Sequence, residues 1–283
     1  MVTALRYVTF GPRHGGHIAL PETREFICMV AAHLRDAAQF CKTASNFVGG
    51  AFPNNYTVFD TETSGIDFAK DLILECGWCT TRGGQPESNS AVVLDWTRVD
   101  AIDQTWLQLR LAQLKRFMEF DRYGQPTGRT CHFNYDRLRD EGEDPFEVLS
   151  TYVGLIQDAM QRNEALAGHN AWWFDRQMID GNLRRFMPER AINWGLNAII
   201  DTGLIEKAMQ INAPPWPGDN LQSWYQRVYQ TRTRAAWRLD GHCVPKYDLA
   251  ARYNLTMDKA HTSDFDCLLV HYLIQTYREL AET

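Results

Sequence analysis

The sequence predicts an α/β fold: a central mixed sheet flanked by helices. Two observations carry this. Three β-branched and aromatic runs cluster between residues 56 and 96, and almost everything after them repeats at helical period. A short block of strands followed by helices buries its apolar faces most simply by packing the helices on the sheet. The length, 283 residues with 45% apolar side chains, suits one large domain or two small ones and excludes collagen, coiled coil and wholesale disorder.

Residues 1–15 are rich in Gly, Pro and basic groups and read as irregular. From Pro21 to Ala44, Phe26, Met29, Val30, Leu34 and Ala38 recur at helical spacing, so an amphipathic helix is expected. Gly49-Gly50 and Pro53-Asn54-Asn55 then punctuate the chain. They set a boundary between an N-terminal extension, 1–52, and a main domain, 53–283. That domain opens with Tyr56–Asp60 as a buried strand, followed by Asp71–Thr81 and Ala91–Trp96 as the second and third. Helices are expected near 101–120, 146–163, 175–187, 203–210, 247–253 and 263–281. The second is expected to run on to about Leu166, where Gly168 can close it. Residues 121–145 are polar and turn-rich and read as an inserted loop. Residues 211–246 combine a Pro-rich turn with Arg227, Tyr229, Arg232, Arg234, Trp237, Arg238 and Lys246. That stretch is either a track for a nucleic-acid strand or a solvated helix face.

Twenty-nine Lys and Arg against 35 Asp and Glu give a charge of −6. This argues against a protein that coats nucleic acid by bulk charge, since phosphate neutralisation drives such binding. It does not exclude an enzyme that holds cations between itself and a phosphate. Seven scattered cysteines do not form a disulfide framework, and no basic-led apolar segment opens the chain. A reducing, intracellular setting is expected, with no membrane partner, because the apolar runs are too short to span a bilayer. Cys76 and Cys79 form a CxxC without a second pair, and on a strand they face opposite sides, so buried packing is the expected role.

Three acidic motifs stand out. Asp60 and Glu62 are two apart on a strand and project to the same face, where they repel each other unless a cation is shared. His169-Asn170 precedes Trp172-Trp173-Phe174-Asp175 at a helix start. His261 stands five residues before Asp266 at the head of the last apolar helix, where Thr262 or Ser263 can cap. Taken singly, each has a plain structural explanation in a turn, an N-cap or a capping segment.

Taken together and in order, these motifs resemble the DEDDh (DnaQ-like) 3′-to-5′ exonucleases of the ribonuclease H-like fold. Phe59–Ile66 is similar to that family's first motif, the His169-Asn170 to Phe174-Asp175 segment to its second, and His261 to Asp266 to its third. Asp201-Thr202 and Tyr247–Leu255 resemble its intervening elements, so the likeness covers about 56–281. Asn170 and Asp175 are five apart, a spacing similar to three-prime repair exonucleases.

The resemblance implies hydrolysis of DNA 3′ ends to nucleoside monophosphates. It implies two Mg²⁺, with Mn²⁺ as a substitute, held by Asp60, Glu62, Asp175 and Asp266, with Asp60 between the two ions. His261 would be the general base, a task suited to an imidazole. Thr61, Thr63 and Ile66 would touch the terminal nucleotide, with Asn170 and Phe174 flanking the scissile end. The partner implied is a nucleic acid with a free 3′ end, single-stranded DNA foremost. Two alternatives stay open: an exoribonuclease of the same family, and a catalytically idle binding module on this fold. A dinucleotide-dependent enzyme lacks its Gly-rich fingerprint here.

Overall fold

The structure is a computed structural model that describes residues 52–195, 199–232, 238–257 and 260–282. The helix expected at 21–44 lies outside these residues.

Five strands form one mixed sheet. β1 (Tyr56–Thr63) is central, with β2 (Ile73–Arg82) and β3 (Gln85–Val93) following as antiparallel neighbours. On its other side, β4 (Ala165–Gly168) and β5 (Ile199–Asp201) are parallel to it, giving the order β3-β2-β1-β4-β5. β1 is hydrophobic until its last turn: Tyr56, Val58 and Phe59 are fully buried, and the polar residues follow where the strand leaves the core.

The first two strands lie close to where the alternation places them. The third does not: it spans Gln85–Val93, paired along β2 despite its polar, exposed side chains, and Trp96 instead begins a 3₁₀ turn capped by Asp95. An edge strand can be polar because only one of its sides is paired, which hides it from hydrophobic pattern. The helix expected to reach Leu166 ends at Gln161, where Asn163 turns into the left-handed region at φ 55°. Ala165–Gly168 is then strand β4. Four small apolar residues carry no period that distinguishes the two states.

The helices are α1 (Gln104–Glu119), α2 (Tyr135–Glu141), α3 (Pro145–Gln161), α4 (Asp175–Phe186), α5 (Thr202–Gln210), α6 (Leu221–Gln230), α7 (Val244–Tyr247), α8 (Leu249–Arg252) and α9 (Ser263–Glu282). Two of these correct the expected loops. α2 forms inside 121–145 because Asn134 caps it and Leu138 is buried, and α6 forms inside 211–246 with Leu221, Trp224, Tyr225 and Val228 inward. The helix expected over 247–253 is split into α7 and α8 by Asp248 at φ 53°. A π-helical turn, Leu239–Cys243, precedes α7. α9 crosses β1, β2 and β3 and buries Phe265, Leu269, Val270, Leu273, Ile274 and Tyr277 against them. Among the described residues, no helix is long and apolar enough to cross a membrane.

Candidate active site

The site lies where β1 runs out of the core. Asp60 and Glu62 are half-buried, whereas Thr61 and Thr63 between and after them are buried, so the two carboxylates share one face of the strand. A register shift against β2 falls between Glu62 and Thr63.

Asp175 reaches the same place from the first residue of α4. Its Oδ1 accepts the Thr61 backbone N–H at 2.8 Å and the Thr61 hydroxyl at 2.6 Å. The turn that delivers it is held by a neighbour: Asp201, at the end of β5, accepts N–H bonds from Asn170 and Trp172 at 2.9 Å and from Leu204 at 3.0 Å. The Thr202 hydroxyl lies 3.0 Å from His169 Nδ1. The Asp201-Thr202 pair is thus the support of the second motif. Gly168, expected to close a helix, ends β4 instead. A Cβ there would fall 2.8 Å from the Phe59 carbonyl oxygen and 2.4 Å from Ala171 Cβ, so only glycine lets the turn pass this close to β1.

The third motif approaches over Gly77, the β2 residue paired with Asp60. A Cβ on Gly77 would sit 2.3 Å from Ser263 Cβ and 2.5 Å from the Ser263 carbonyl carbon. That bare patch of strand lets the start of α9 settle beside the acids. Ser263 is the first helical residue, and its N–H is taken by Glu75 Oε2 at 2.8 Å. His261, at φ 71°, directs its own N–H to Asp266 Oδ1 at 3.4 Å. Ligand atoms of Glu62, His261 and Asp266 all lie within 4.8 Å of one another.

The electrostatics identify one cluster. Burial pushes the Asp60 carboxyl well up, and the negative charges of Asp175, Asp266, Glu62 and Glu75 push it further. Glu62 is raised by burial and then by Asp266, Glu75 and Asp175. Burial carries Asp175 to about 7 against the Thr61 hydrogen bonds, and Asp266 to about 6 against the charge and N–H of His261. His261 is raised by its bond to Asp240, with burial opposing and Asp266 adding. The negative neighbours that raise Asp60 and Glu62 mark more negative charge than the fold neutralises there. Hard oxygen donors of this kind fit divalent cations such as Mg²⁺, so the donor set passes the chemical test for a metal.

The five residues Asp60, Glu62, Asp175, His261 and Asp266 are therefore brought together from three motifs. Of the remaining residues, Thr61 is engaged with Asp175, and the Thr63 hydroxyl donates to the Gly65 carbonyl at 2.7 Å. Ile66 is 79% exposed, and Phe174 packs edge-on against Phe68. Asn170, at φ 67°, lines an open cavity of about 440 Å³ with Lys207, Tyr229 and Arg232.

Among the described residues of the basic stretch, three of the cations are paired with acids. Arg227 pairs with Asp219 at 2.6 Å, Lys246 with the buried Glu206 at 2.8 Å and Arg238 with Asp240 at 3.4 Å, while Tyr229 stacks near Trp173. Arg234 and Trp237 lie outside the described residues. Trp172 is in the core and Trp173 is half-buried. Cys76 and Cys79 are free and buried. Glu75 and Asp240 stand outside the three sequence motifs. Glu75 offered a signal, an acid in an otherwise apolar strand, whereas Asp240 offered none.

No family model matches the sequence, and no curated protein matches it. Among solved structures, exonuclease I superposes with a TM-score of 0.50 at 14% identity, covering 81% of this chain and 43% of that one. The zinc-bound complex of E. coli exonuclease I with single-stranded DNA gives a TM-score of 0.50 at 14% identity, over 81% and 42%. This chain thus spans less than half the length of these neighbours. What it shares with them is the fold: a mixed five-stranded sheet flanked by helices, of the ribonuclease H-like kind.

Proposed function

We propose that this protein is a metal-dependent 3′-to-5′ exonuclease that removes nucleoside monophosphates from DNA, with single-stranded 3′ ends as its substrate. The observation that carries this reading is the convergence of three motifs: Asp60 and Glu62 on one face of β1, Asp175 bonded to Thr61 between them, and ligand atoms of Glu62, His261 and Asp266 within 4.8 Å of one another. The likeness in fold to an exonuclease crystallised with single-stranded DNA and zinc supports the choice of substrate and of a metal.

The four carboxylates Asp60, Glu62, Asp175 and Asp266 are the residues that would hold two Mg²⁺ or Mn²⁺. Divalent cations at such a site polarise phosphate oxygens and stabilise charge on the attacking and leaving oxygens. His261 takes the proton as water attacks the terminal phosphorus, and the bond to the 3′ oxygen of the preceding nucleotide breaks. Thr61 aims Asp175 and favours its ionised form through two hydrogen bonds. The exposed Ile66 would lie against the terminal base, with Phe174 and Asn170 beside the scissile end.

The test uses purified protein with single-stranded DNA labelled at either end, in Mg²⁺ or in EDTA, with matched RNA alongside. The expected result is immediate release of a labelled mononucleotide from the 3′ label, a descending ladder from the 5′ label, and no cleavage in EDTA. Internal fragments first, or cleavage in EDTA, would sink the proposal. Faster release from RNA would move the substrate to RNA.

A further inference from the structure

We infer that Asp240 is a positioning residue for His261, holding the imidazole at the edge of the carboxylate cluster. The inference rests on the exonuclease reading for its consequence, but the contact itself is independent of it. Asp240 Oδ2 lies 3.4 Å from His261 Nε2. A ring nitrogen of His261 also belongs to the group that includes Glu62 and Asp266 within 4.8 Å. The ring is therefore within reach of one carboxylate outside the cluster and two inside it.

Asp240 differs from the four cluster acids in being neutralised. Arg238 Nη2 is 3.4 Å away and Arg129 Nη2 3.6 Å away. Burial raises its carboxyl, but the His261 hydrogen bond, the Arg238 charge and the Gly241 N–H outweigh this and bring it to about 2. It is an anion dedicated to its neighbours, not a spare metal ligand. Its backbone is fixed as well. It belongs to the π-helical turn Leu239–Cys243, in which the N–H groups of His242 and Cys243 both reach the Arg238 carbonyl at 2.9 and 3.1 Å. π-turns of this kind are rare and concentrate at functional sites.

His261 needs such a hold. It precedes the first residue of α9 and sits at φ 71°, so no helix orients its side chain. A carboxylate on one ring nitrogen selects the tautomer, sets the ring plane and stabilises the imidazolium formed when the other nitrogen takes a proton. Pairing at Nε2 leaves Nδ1 for that role. The arrangement also gives purpose to two polar segments, since Arg129 comes from 121–145 and Arg238 and Asp240 from 211–246.

The experiment compares wild type, Asp240→Asn, Asp240→Glu, His261→Ala and the Asp240→Asn/His261→Ala double variant on single-stranded DNA in Mg²⁺, with melting temperatures measured in parallel. Asp240→Asn is expected to lower kcat by about 10- to 100-fold with KM and the Mg²⁺ requirement unchanged. Asp240→Glu should recover part of the loss, and the double variant should be no slower than His261→Ala. Long-range ¹H–¹⁵N spectra of the His261 ring should show a tautomer or protonation change in Asp240→Asn. Unchanged kcat and ring shifts, or losses that multiply in the double variant, would overturn the inference. Absence of any cleavage by the wild type would overturn the proposed function, and the ring shifts would then still decide the Asp240 contact.

Discussion

Glu75 Oε2 accepts the Ser263 backbone N–H at 2.8 Å while its Oε1 pairs with Arg137 Nη2 at 3.0 Å. A single buried strand carboxylate thus caps the helix that carries Asp266 and anchors α2 to the sheet. Glu75→Ala leaves the Ser263 N–H without its acceptor and Arg137 with only Glu141 and the His132 carbonyl, at a cost of about 1–3 kcal/mol. Glu75→Gln keeps an acceptor for Ser263 and should lose less. Urea unfolding of the two variants measures the difference. Equal stability of Glu75→Ala and wild type would show that the contact is not made in solution.

Gly77 should tolerate no side chain. The Ser263 atoms that a Cβ on Gly77 would meet at 2.3 and 2.5 Å are a Cβ and a backbone carbon, not a flexible tip. Gly77→Ala must push the start of α9 away from β2, with a stability loss of about 1–3 kcal/mol. Because His261 and Asp266 move with that helix start, activity should fall by more than stability explains. Thermal melts and initial rates on one preparation check this.

Thr61→Val removes the hydroxyl donor at 2.6 Å and keeps the N–H at 2.8 Å. Those bonds oppose the burial that carries Asp175 to about 7, so the variant's carboxyl should rise further. Mg²⁺ affinity at pH 6.5 should weaken by about tenfold, the worth of one hydrogen bond to a charged group. The loss should shrink at pH 9, where the carboxyl ionises in both proteins. Calorimetric titration at the two pH values gives the comparison.

The cluster also sets a pH dependence of stability. Asp175 at about 7 and Asp266 at about 6 lie above their unfolded values near 4, and Asp60 and Glu62 are raised as well. Between about pH 4 and 7 the folded protein therefore holds more protons than the unfolded chain, so these groups make metal-free protein less stable as pH rises. His271, held at about 4 by burial, works in the opposite sense up to its unfolded value near 6.5. The comparison with Asp60→Asn cancels that background. In EDTA at pH 8, Asp60→Asn should melt higher than wild type, by about 2–4 °C per kcal/mol of repulsion relieved. Adding Mg²⁺ should raise wild type and leave the variant nearly unchanged.

The parts of the fold legible in the sequence were those with a period or a motif. β1 alternates at its polar end, α9 repeats apolar residues over five turns, and the acids of the site stand two, or five from a histidine or asparagine, apart. The parallel strands β4 and β5 were not legible, because four and three residues hold no period, the pairing of β4 with β1 spans about a hundred residues of chain, and β5 pairs only with β4. Asp240 was hidden for a related reason. Its partners Arg129 and His261 are distant in sequence, and a lone acid in a basic stretch reads as charge balance.

Manganese counted by electron paramagnetic resonance tests the central claim most directly. Mn²⁺ is titrated into chelator-treated wild type and into Asp60→Asn at pH 8. The expected result is two bound Mn²⁺ per wild-type chain, magnetically coupled, and loss of that coupled pair in Asp60→Asn. No bound Mn²⁺ in wild type, or the same two ions in both proteins, would contradict a two-cation site built on Asp60.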